Sequence, residues 1–147
     1  MKKILIVYHS LSGNTECAAG IVAQGAKSAK NAEVIIKQAL KTSESDLAGC
    51  DAIGIGTADY FSYMAGALKD LFDRTFYSTK EKMAGKPCAV FVTHGGGGRP
   101  AAESVEKICK SFNLKPVAAP VLCKGRPKDE DESRLKDLGK KLAEAVN

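Results

Sequence analysis

The sequence predicts one doubly wound α/β domain, in which helices cover both faces of a parallel β-sheet. Strand-like and helix-like segments alternate along all 147 residues, and no linker, repeat or low-complexity tract interrupts them. Right-handed crossovers between parallel strands place the connecting helices on both faces of such a sheet. A chain of this length suits a single domain, which we expect to span residues 1–147.

Five short runs rich in apolar residues are predicted as strands. They cover residues 3–8, 33–38, 52–56, 88–93 and 116–122. The first run stops at His9, which makes it too short for the apolar part of a signal peptide. No apolar run is long enough to cross a membrane, and we expect a cytoplasmic protein.

Helical periodicity marks the segments between the strands. One helix is expected to begin near Asn14, and three others show apolar residues at spacings of three and four positions. Their apolar faces comprise Met64, Leu68, Leu71, Phe72 and Thr75, then Ala102, Val105, Ile108, Cys109 and Phe112, and finally Leu135, Leu138, Leu142 and Val146. The last helix is expected to begin at the acidic residues 129–132 and to end among Lys140 and Lys141.

Composition and charge narrow the classes of function. Charged residues make up 27% of the chain and hydrophobic residues 44%, as in ordinary globular proteins. The five cysteines form no CxxC pair and the chain has two histidines, so we expect reduced thiols and no metal site. The net charge of +5 indicates acidic partners or anionic substrates. No basic helix with interleaved aromatic residues supports specific nucleic-acid binding.

Residues with phosphate-binding chemistry follow the first predicted strand. Ligands of doubly wound sheets bind at the carboxyl ends of the strands, where the strand order reverses. The segment here consists of Ser10, Leu11, Ser12, Gly13, Asn14 and Thr15. Its hydroxyls and the amides of a helix N-terminus would cradle a phosphate without any Lys or Arg between Tyr8 and Glu16. An ordinary N-capped turn is the alternative that these residues alone leave open.

A cluster of aromatic residues follows the third predicted strand. The segment consists of Thr57, Ala58, Asp59, Tyr60, Phe61, Ser62 and Tyr63. Three rings at the edge of a sheet are poorly placed for a core, whereas a flat heterocycle would stack on Tyr60 or Phe61. The alternative is that Phe61 and one tyrosine cap the neighbouring helix.

Glycine dominates the segment after the fourth predicted strand. It consists of Thr93, His94, Gly95, Gly96, Gly97 and Gly98. Consecutive glycines indicate positive φ angles or a close approach of the backbone to a ligand, although neither the Walker pattern nor GxGxxG is present. His94 would lie beside that ligand, as the one candidate catalytic side chain, or would be a surface histidine with a structural hydrogen bond.

These three segments resemble the flavin loops of known redox proteins. Residues 10–15 look like the phosphate loop of flavodoxins. Residues 56–75 resemble the second flavin loop and helix of the tryptophan-repressor-binding-protein-like NAD(P)H:quinone oxidoreductases, with Phe61 and Met64 at matching positions. The glycine-rich segment resembles their third loop. The resemblance implies a flavodoxin-like three-layer fold, a five-stranded parallel sheet of order 2-1-3-4-5, and one non-covalent FMN, which fits better than FAD.

Three classes of function compete for this chain. The first is an electron carrier between larger redox proteins, favoured by the small single domain. The second is an NAD(P)H-dependent quinone or flavin reductase, although a histidine that accompanies this activity in the family is missing from residues 113–120. The third, a flavin-free doubly wound interaction module, would need paired carboxylates where this chain has Tyr8 and His9.

The second loop also predicts how the flavin is reduced. Residues 57–63 contain no glycine, and a left-handed turn would be costly at Ala58, Tyr60 and Phe61. We therefore expect mainly two-electron reduction. The partners would be a redox protein, or NAD(P)H and a quinone, with Lys124, Arg126 and Lys128 favouring acidic ones. Whether the protein is a monomer or a homo-oligomer stays open.

Overall fold

A parallel sheet forms the centre of the computed structural model, which describes all 147 residues. The strands are β1 (Lys2–Tyr8), β2 (Ala32–Gln38), β3 (Ala52–Ala58), β4 (Pro87–His94), β5 (Lys115–Pro116) and β6 (Val121–Lys124). The helices are α1 (Asn14–Ala26), α2 (Glu44–Gly49), α3 (Gly66–Met83), α4 (Arg99–Ser111) and α5 (Asp129–Val146), with a 3₁₀ turn at Ala39–Lys41. The strand order is β2-β1-β3-β4-β5, with β6 also paired to β4, and every pair is parallel. The predicted order 2-1-3-4-5 is confirmed.

The fifth position of the sheet differs from the prediction of one strand over residues 116–122. Two short strands pair with β4 there: Cys88 is opposite Pro116, and Phe91 is opposite Val121. Four residues therefore bulge out opposite two residues of β4. Pro116 and Pro120 have no N–H group to donate to β4, which explains why one continuous ladder does not form.

Helices cover both faces of the sheet, as predicted. The face with α1 and α5 buries residues such as Ile4, Ile6 and Phe91, and the opposite face buries Leu5 and Ile53 against α2, α3 and α4. Phe91 and Phe72 are 0% and 3% exposed, so both belong to the core. No helix is both long and apolar enough to span a membrane.

Three helix predictions need correction. Helix α3 begins at Gly66, so Met64 is buried ahead of the helix and is not part of its face. Helix α5 continues to Val146, well beyond Lys140 and Lys141, because its apolar spacing extends that far. Helix α2 was not predicted, although Ser43 and Asp46 at its start form a capping box.

Asp46 also accepts hydrogen bonds from a lysine side chain of β2. Lys37 Nζ lies 2.8 Å from both carboxylate oxygens of Asp46. Partial burial favours the protonated carboxyl, but the hydrogen bonds from Lys37 and Ser43 outweigh it and hold the pKa of Asp46 below its usual value. This contact fastens the short helix α2 to the edge strand of the sheet.

Candidate functional site

The carboxyl ends of β1, β3 and β4 bring the three predicted loops together at one edge of the sheet. We call residues 10–15 the first loop, residues 57–63 the second loop and residues 93–98 the third loop. Thr15 Oγ1 of the first loop lies 2.8 Å from Thr93 Oγ1 of the third. The amide of Gly98 donates to Asp59 Oδ2 at 3.1 Å and so joins the third loop to the second. The three loops therefore form one connected surface.

The first loop presents backbone amides that have no acceptor in the protein. Between Ser10 and Glu16, only the amide of Gly13 is paired, with Ser10 Oγ at 3.0 Å. Helix α1 begins directly after Gly13, and the first amide to enter its hydrogen-bond ladder is that of Cys17, which donates to Gly13 O. Unpaired first-turn amides carry the positive end of the helix dipole, so this loop can accept one anionic group.

The hydroxyls of the first loop have different environments. Ser12 is exposed, whereas Thr15 is 1% exposed and contacts Thr93. Ser10 is partly buried and accepts the bond from Gly13. Gly13 itself has φ 95°, a left-handed value that a side chain would strain. Ser10 and Thr15 thus hold the loop in shape, and Ser12 is the hydroxyl most open to an incoming ligand.

The nearest charge on helix α1 is negative and is already engaged. Tyr8 OH donates to Glu16 Oε2 at 3.3 Å, from a side chain that is 7% exposed. Burial and the neighbouring Glu16 raise the pKa of Tyr8, so its phenol stays protonated. This donor partly offsets the repulsion between Glu16 and an anion bound at the first turn.

The second loop contains a two-residue β-turn with an aromatic tip. Tyr60 and Tyr63 exchange two backbone hydrogen bonds of 3.0 and 3.1 Å. Phe61 and Ser62, between them, have φ 56° and 61°. Positive φ at both central positions is the geometry of a type I′ turn, whose twist suits a hairpin. Phe61 thus adopts the left-handed conformation that we expected to be costly for it.

Phe61 points into solvent and does not cap the neighbouring helix. Its side chain is fully exposed, and Tyr63 is 42% exposed. Tyr60 is half-buried and contacts the ring of His9 edge-on, with 6.3 Å between centroids. Thr57, by contrast, is buried, and its hydroxyl accepts from the amide of Ala65 at 2.9 Å. Thr57 shapes the loop from inside, and the rings form its outer surface.

One carboxylate joins the second and third loops. Asp59 Oδ1 accepts from the amide of Ser62 at 2.8 Å, and its Oδ2 accepts from Gly98. His94 Nδ1 accepts from the amide of Gly97 at 3.1 Å, which fixes the imidazole over the third loop. Gly97 and Gly98 have φ 141° and 82°, as the glycine run predicted.

Two residues that no sequence motif indicates also support these loops. Ser104 Oγ on α4 accepts from the amide of Met64 at 3.0 Å, just after the second loop. The amide of Gly125 donates to His94 O at 2.8 Å and anchors the segment after β6 to the third loop. Neither pairing has a local signal, because each joins residues far apart in the chain.

The matches to known proteins agree with this geometry. The sequence model of the NADPH-dependent FMN reductase family matches residues 27–129. A flavodoxin from Aquifex aeolicus is 27% identical over 99% of this chain and 88% of that protein. The structure of an archaeal flavodoxin superposes with a TM-score of 0.87 and 28% identity, covering 98% of both chains. Two-electron-reduced Megasphaera elsdenii flavodoxin shares the fold, with a TM-score of 0.82 and 24% identity over 97% of this chain and 99% of its own.

The amides of the first loop provide the chemistry that the phosphate of FMN requires, and the rings and glycines of the other two loops lie at the same edge. The family match covers more than half of the chain, including the second and third loops. The chain therefore belongs to the NADPH-dependent FMN reductase family and is a flavodoxin-like, FMN-binding redox protein.

Proposed function

We propose that this protein carries electrons by docking, through the rim of its FMN site, on a partner protein with an acidic surface. The observation that supports docking is that both the first and the second loop expose large apolar side chains. Leu11 is 76% exposed, Phe61 is fully exposed and Tyr63 is 42% exposed. Exposed apolar groups around a site are typical of a surface that contacts another protein.

The three loops have distinct roles in this proposal. The amides of the first loop, with Ser12, would hold the phosphate of FMN. The second loop, through Tyr60 or Phe61, and the third loop, through its glycine amides and His94, would flank the flavin ring. FMN, when bound, supplies the redox chemistry by accepting and releasing electrons. The protein's own residues bind and orient it and set which molecules reach its edge.

The charge near the third loop indicates an acidic partner. Lys124, Arg126 and Lys128 are exposed on the segment that Gly125 anchors to His94 O. Acidic residues at the start of α5 follow this segment, but the whole chain carries a net charge of +5. A positive field steers negatively charged surfaces toward the site.

A second candidate function is NAD(P)H-dependent reduction of a quinone or of free flavin. The family match favours it, because the matching model is that of NADPH-dependent FMN reductases and the matched residues 27–129 include the second and third loops. Anaerobic mixing of the FMN-loaded protein with NADH or NADPH distinguishes the two functions. We expect the flavin absorbance to bleach no faster than that of free FMN. Rapid bleaching, followed by turnover with a quinone, would establish the reductase and overturn the carrier.

The proposed charge steering can be tested with inorganic electron acceptors. We expect ferricyanide, an anion, to oxidise the dithionite-reduced protein at a rate that falls with added salt. Arg126→Glu should lower that rate, whereas Lys30→Glu, the same charge change on the exposed segment before β2, should leave it unchanged. Equal effects of the two substitutions would argue against local steering.

Phosphate binding at the first loop can be tested by comparing FMN with riboflavin. Riboflavin, which lacks the phosphate, should bind far more weakly. Ser12→Ala should cost roughly 1.5–3 kcal/mol of FMN affinity, because it removes a hydrogen bond to a charged group. Ser28→Ala, at the opposite end of α1, is the matched control. Equal affinities for FMN and riboflavin would refute this role of the loop.

The proposal also includes a cytoplasmic setting. All five cysteines are free thiols, which suits a reducing compartment. Detection of the protein in the soluble fraction of gently lysed cells, without a membrane or secreted pool, would support that placement.

A further inference from the structure

Two cysteines face each other at the end of β4 that is remote from the three loops. Cys88 is the second residue of β4, and Cys109 lies on the buried stripe of α4. Both belong to the same core cluster and are 1% and 3% exposed. The two side chains are close enough for each thiol to influence the pKa of the other. No part of the proposed electron transfer uses them.

The two thiols share the wall of a cavity. This cavity has a volume of about 530 Å³ and lies between β4, α4 and the segment after β5. Pro116, Ala118 and Pro120 line it on one side, so it coincides with the bulge where the fifth position of the sheet is interrupted. The interruption in strand pairing therefore opens a cavity that reaches the two sulfur atoms, which would otherwise be enclosed in the core.

The two thiols influence each other's ionisation. Cys109 favours the thiolate of Cys88 and lowers its pKa, although burial and Glu106 oppose that change. Thiolate is the nucleophile in thiol chemistry, so one sulfur of this pair can attack an oxidant while its neighbour resolves the product.

We propose that Cys88 and Cys109 form a redox-active thiol pair that closes to an intramolecular disulfide when hydrogen peroxide enters the cavity. The thiolate of one cysteine attacks one peroxide oxygen, the O–O bond breaks, and the departing hydroxide takes a proton to become water. The sulfur of the other cysteine then displaces the oxygen of the resulting sulfenic acid as a second water. In total, two thiols lose two electrons and two protons, and one peroxide becomes two waters.

This site is independent of the FMN site. His94 lies six positions after Cys88 along the strand, a span of about 20 Å at roughly 3.3 Å per residue. The disulfide would join α4 to the first residues of β4, beside the short edge strand β5. Its formation therefore needs no flavin and can be tested on the FMN-free protein.

The other cysteines provide internal comparisons. The thiol of Cys50 is buried and donates to Leu47 O at 3.2 Å, and burial raises its pKa to about 11. Cys123 is also buried, with a pKa of about 11, and Cys17 lies near enough to contribute to that increase. Cys17 and Cys123 are therefore the competing pair.

The experiment treats the folded, FMN-free protein with hydrogen peroxide and then counts thiols after denaturation. We expect the number to fall from five to three and to return to five after dithiothreitol. Trypsin cleaves after Lys82, Lys107 and Lys110, so the two cysteines are on different peptides. Mass spectrometry without reduction should find those peptides cross-linked, lighter by two hydrogen atoms than their sum. This mapping uses the unmodified chain and does not depend on any variant folding.

Substitutions identify the pair independently. Cys88→Ser and Cys109→Ser should each abolish the loss of two thiols, whereas Cys50→Ser should retain it. Circular dichroism before and after oxidation checks that the protein stays folded. Five thiols remaining after treatment, a Cys17–Cys123 cross-link, or a disulfide between two chains would each overturn the proposal.

Discussion

The α1–α5 interface and the three loops at the carboxyl edge of the sheet both depend on glycine, but for different physical reasons. At the interface, a Cβ atom on Gly25 would lie 2.0 Å from Lys136 O, and one on Gly139 would lie 2.0 Å from Val22 O. In the first loop, a Cβ atom on Gly13 would meet no atom within 4 Å, yet its φ is 95°. The helices need the missing volume, and the loop needs the backbone conformation.

This contrast separates the source of stability from the source of function. The backbones of α1 and α5 are in direct contact at these glycines, so any added side-chain volume must push the two helices apart. The loops are open, because most amides of the first loop have no acceptor and the ring of Phe61 in the second is fully exposed. Strained conformations in open loops are retained where a ligand uses them.

The largest effect that we predict is at the interface. Gly139→Ala or Gly25→Ala should lower the free energy of unfolding by about 2–4 kcal/mol, because the helices must move apart. Chemical denaturation of the FMN-free protein measures this. Gly20→Ala, on the same helix as Gly25 but with nothing within 4 Å, should instead stabilise by about 0.5–1 kcal/mol, since glycine is a poor helix former. If all three variants were equally stable, the close approach of the two helices would be wrong.

A smaller effect is expected where the loops hold one another. Asp59→Ala should cost about 1–2 kcal/mol, because the amides of Ser62 and Gly98 lose their acceptor. Asp59→Asn retains one acceptor oxygen, so its stability should lie between those of the unmodified protein and Asp59→Ala. Hydrogen exchange should accelerate at those two amides. Asp73→Ala removes only an exposed i,i+4 ion pair and serves as the control, with little change expected. Unchanged exchange in Asp59→Ala would mean that the carboxylate does not join the loops.

The difference between these two regions also explains what the sequence could predict. The first four strands and the order of the three loops were predictable, because alternating apolar runs and glycine-rich turns are local signals. The bulge at the fifth position depends on pairing with β4, and the Met64–Ser104 contact depends on tertiary packing. Local propensity failed at Phe61, whose φ of 56° is disfavoured for an aromatic residue. That failure lies at the candidate site, where local rules are most often broken.

Gly13 tests whether conformation alone matters in the first loop. Gly13→Ala should cost about 1–2 kcal/mol of stability through the left-handed backbone, without any steric clash. Its effect should therefore be smaller than that of Gly139→Ala. Denaturation of the two variants side by side measures the ranking. A reversed order would show that the first loop is more closely packed than the structure indicates.

The smallest effect, and the most informative, concerns the tip of the second loop. Phe61 and Asn113 share a φ of 56°, but asparagine tolerates this region far better than phenylalanine does. Phe61→Asn should therefore stabilise the FMN-free protein by about 0.5–1 kcal/mol, because it relieves strain and removes no packed contact. Tyr77→Asn, which also removes an exposed ring but from helix α3, should give no such gain. Fluorescence titration should show weaker FMN binding for Phe61→Asn, since the ring is proposed to flank the flavin. Higher stability together with weaker FMN binding is the signature of strain retained for binding. If Phe61→Asn bound FMN as tightly as the unmodified protein, Phe61 would not flank the flavin, and its exposed ring would serve only to contact the partner protein.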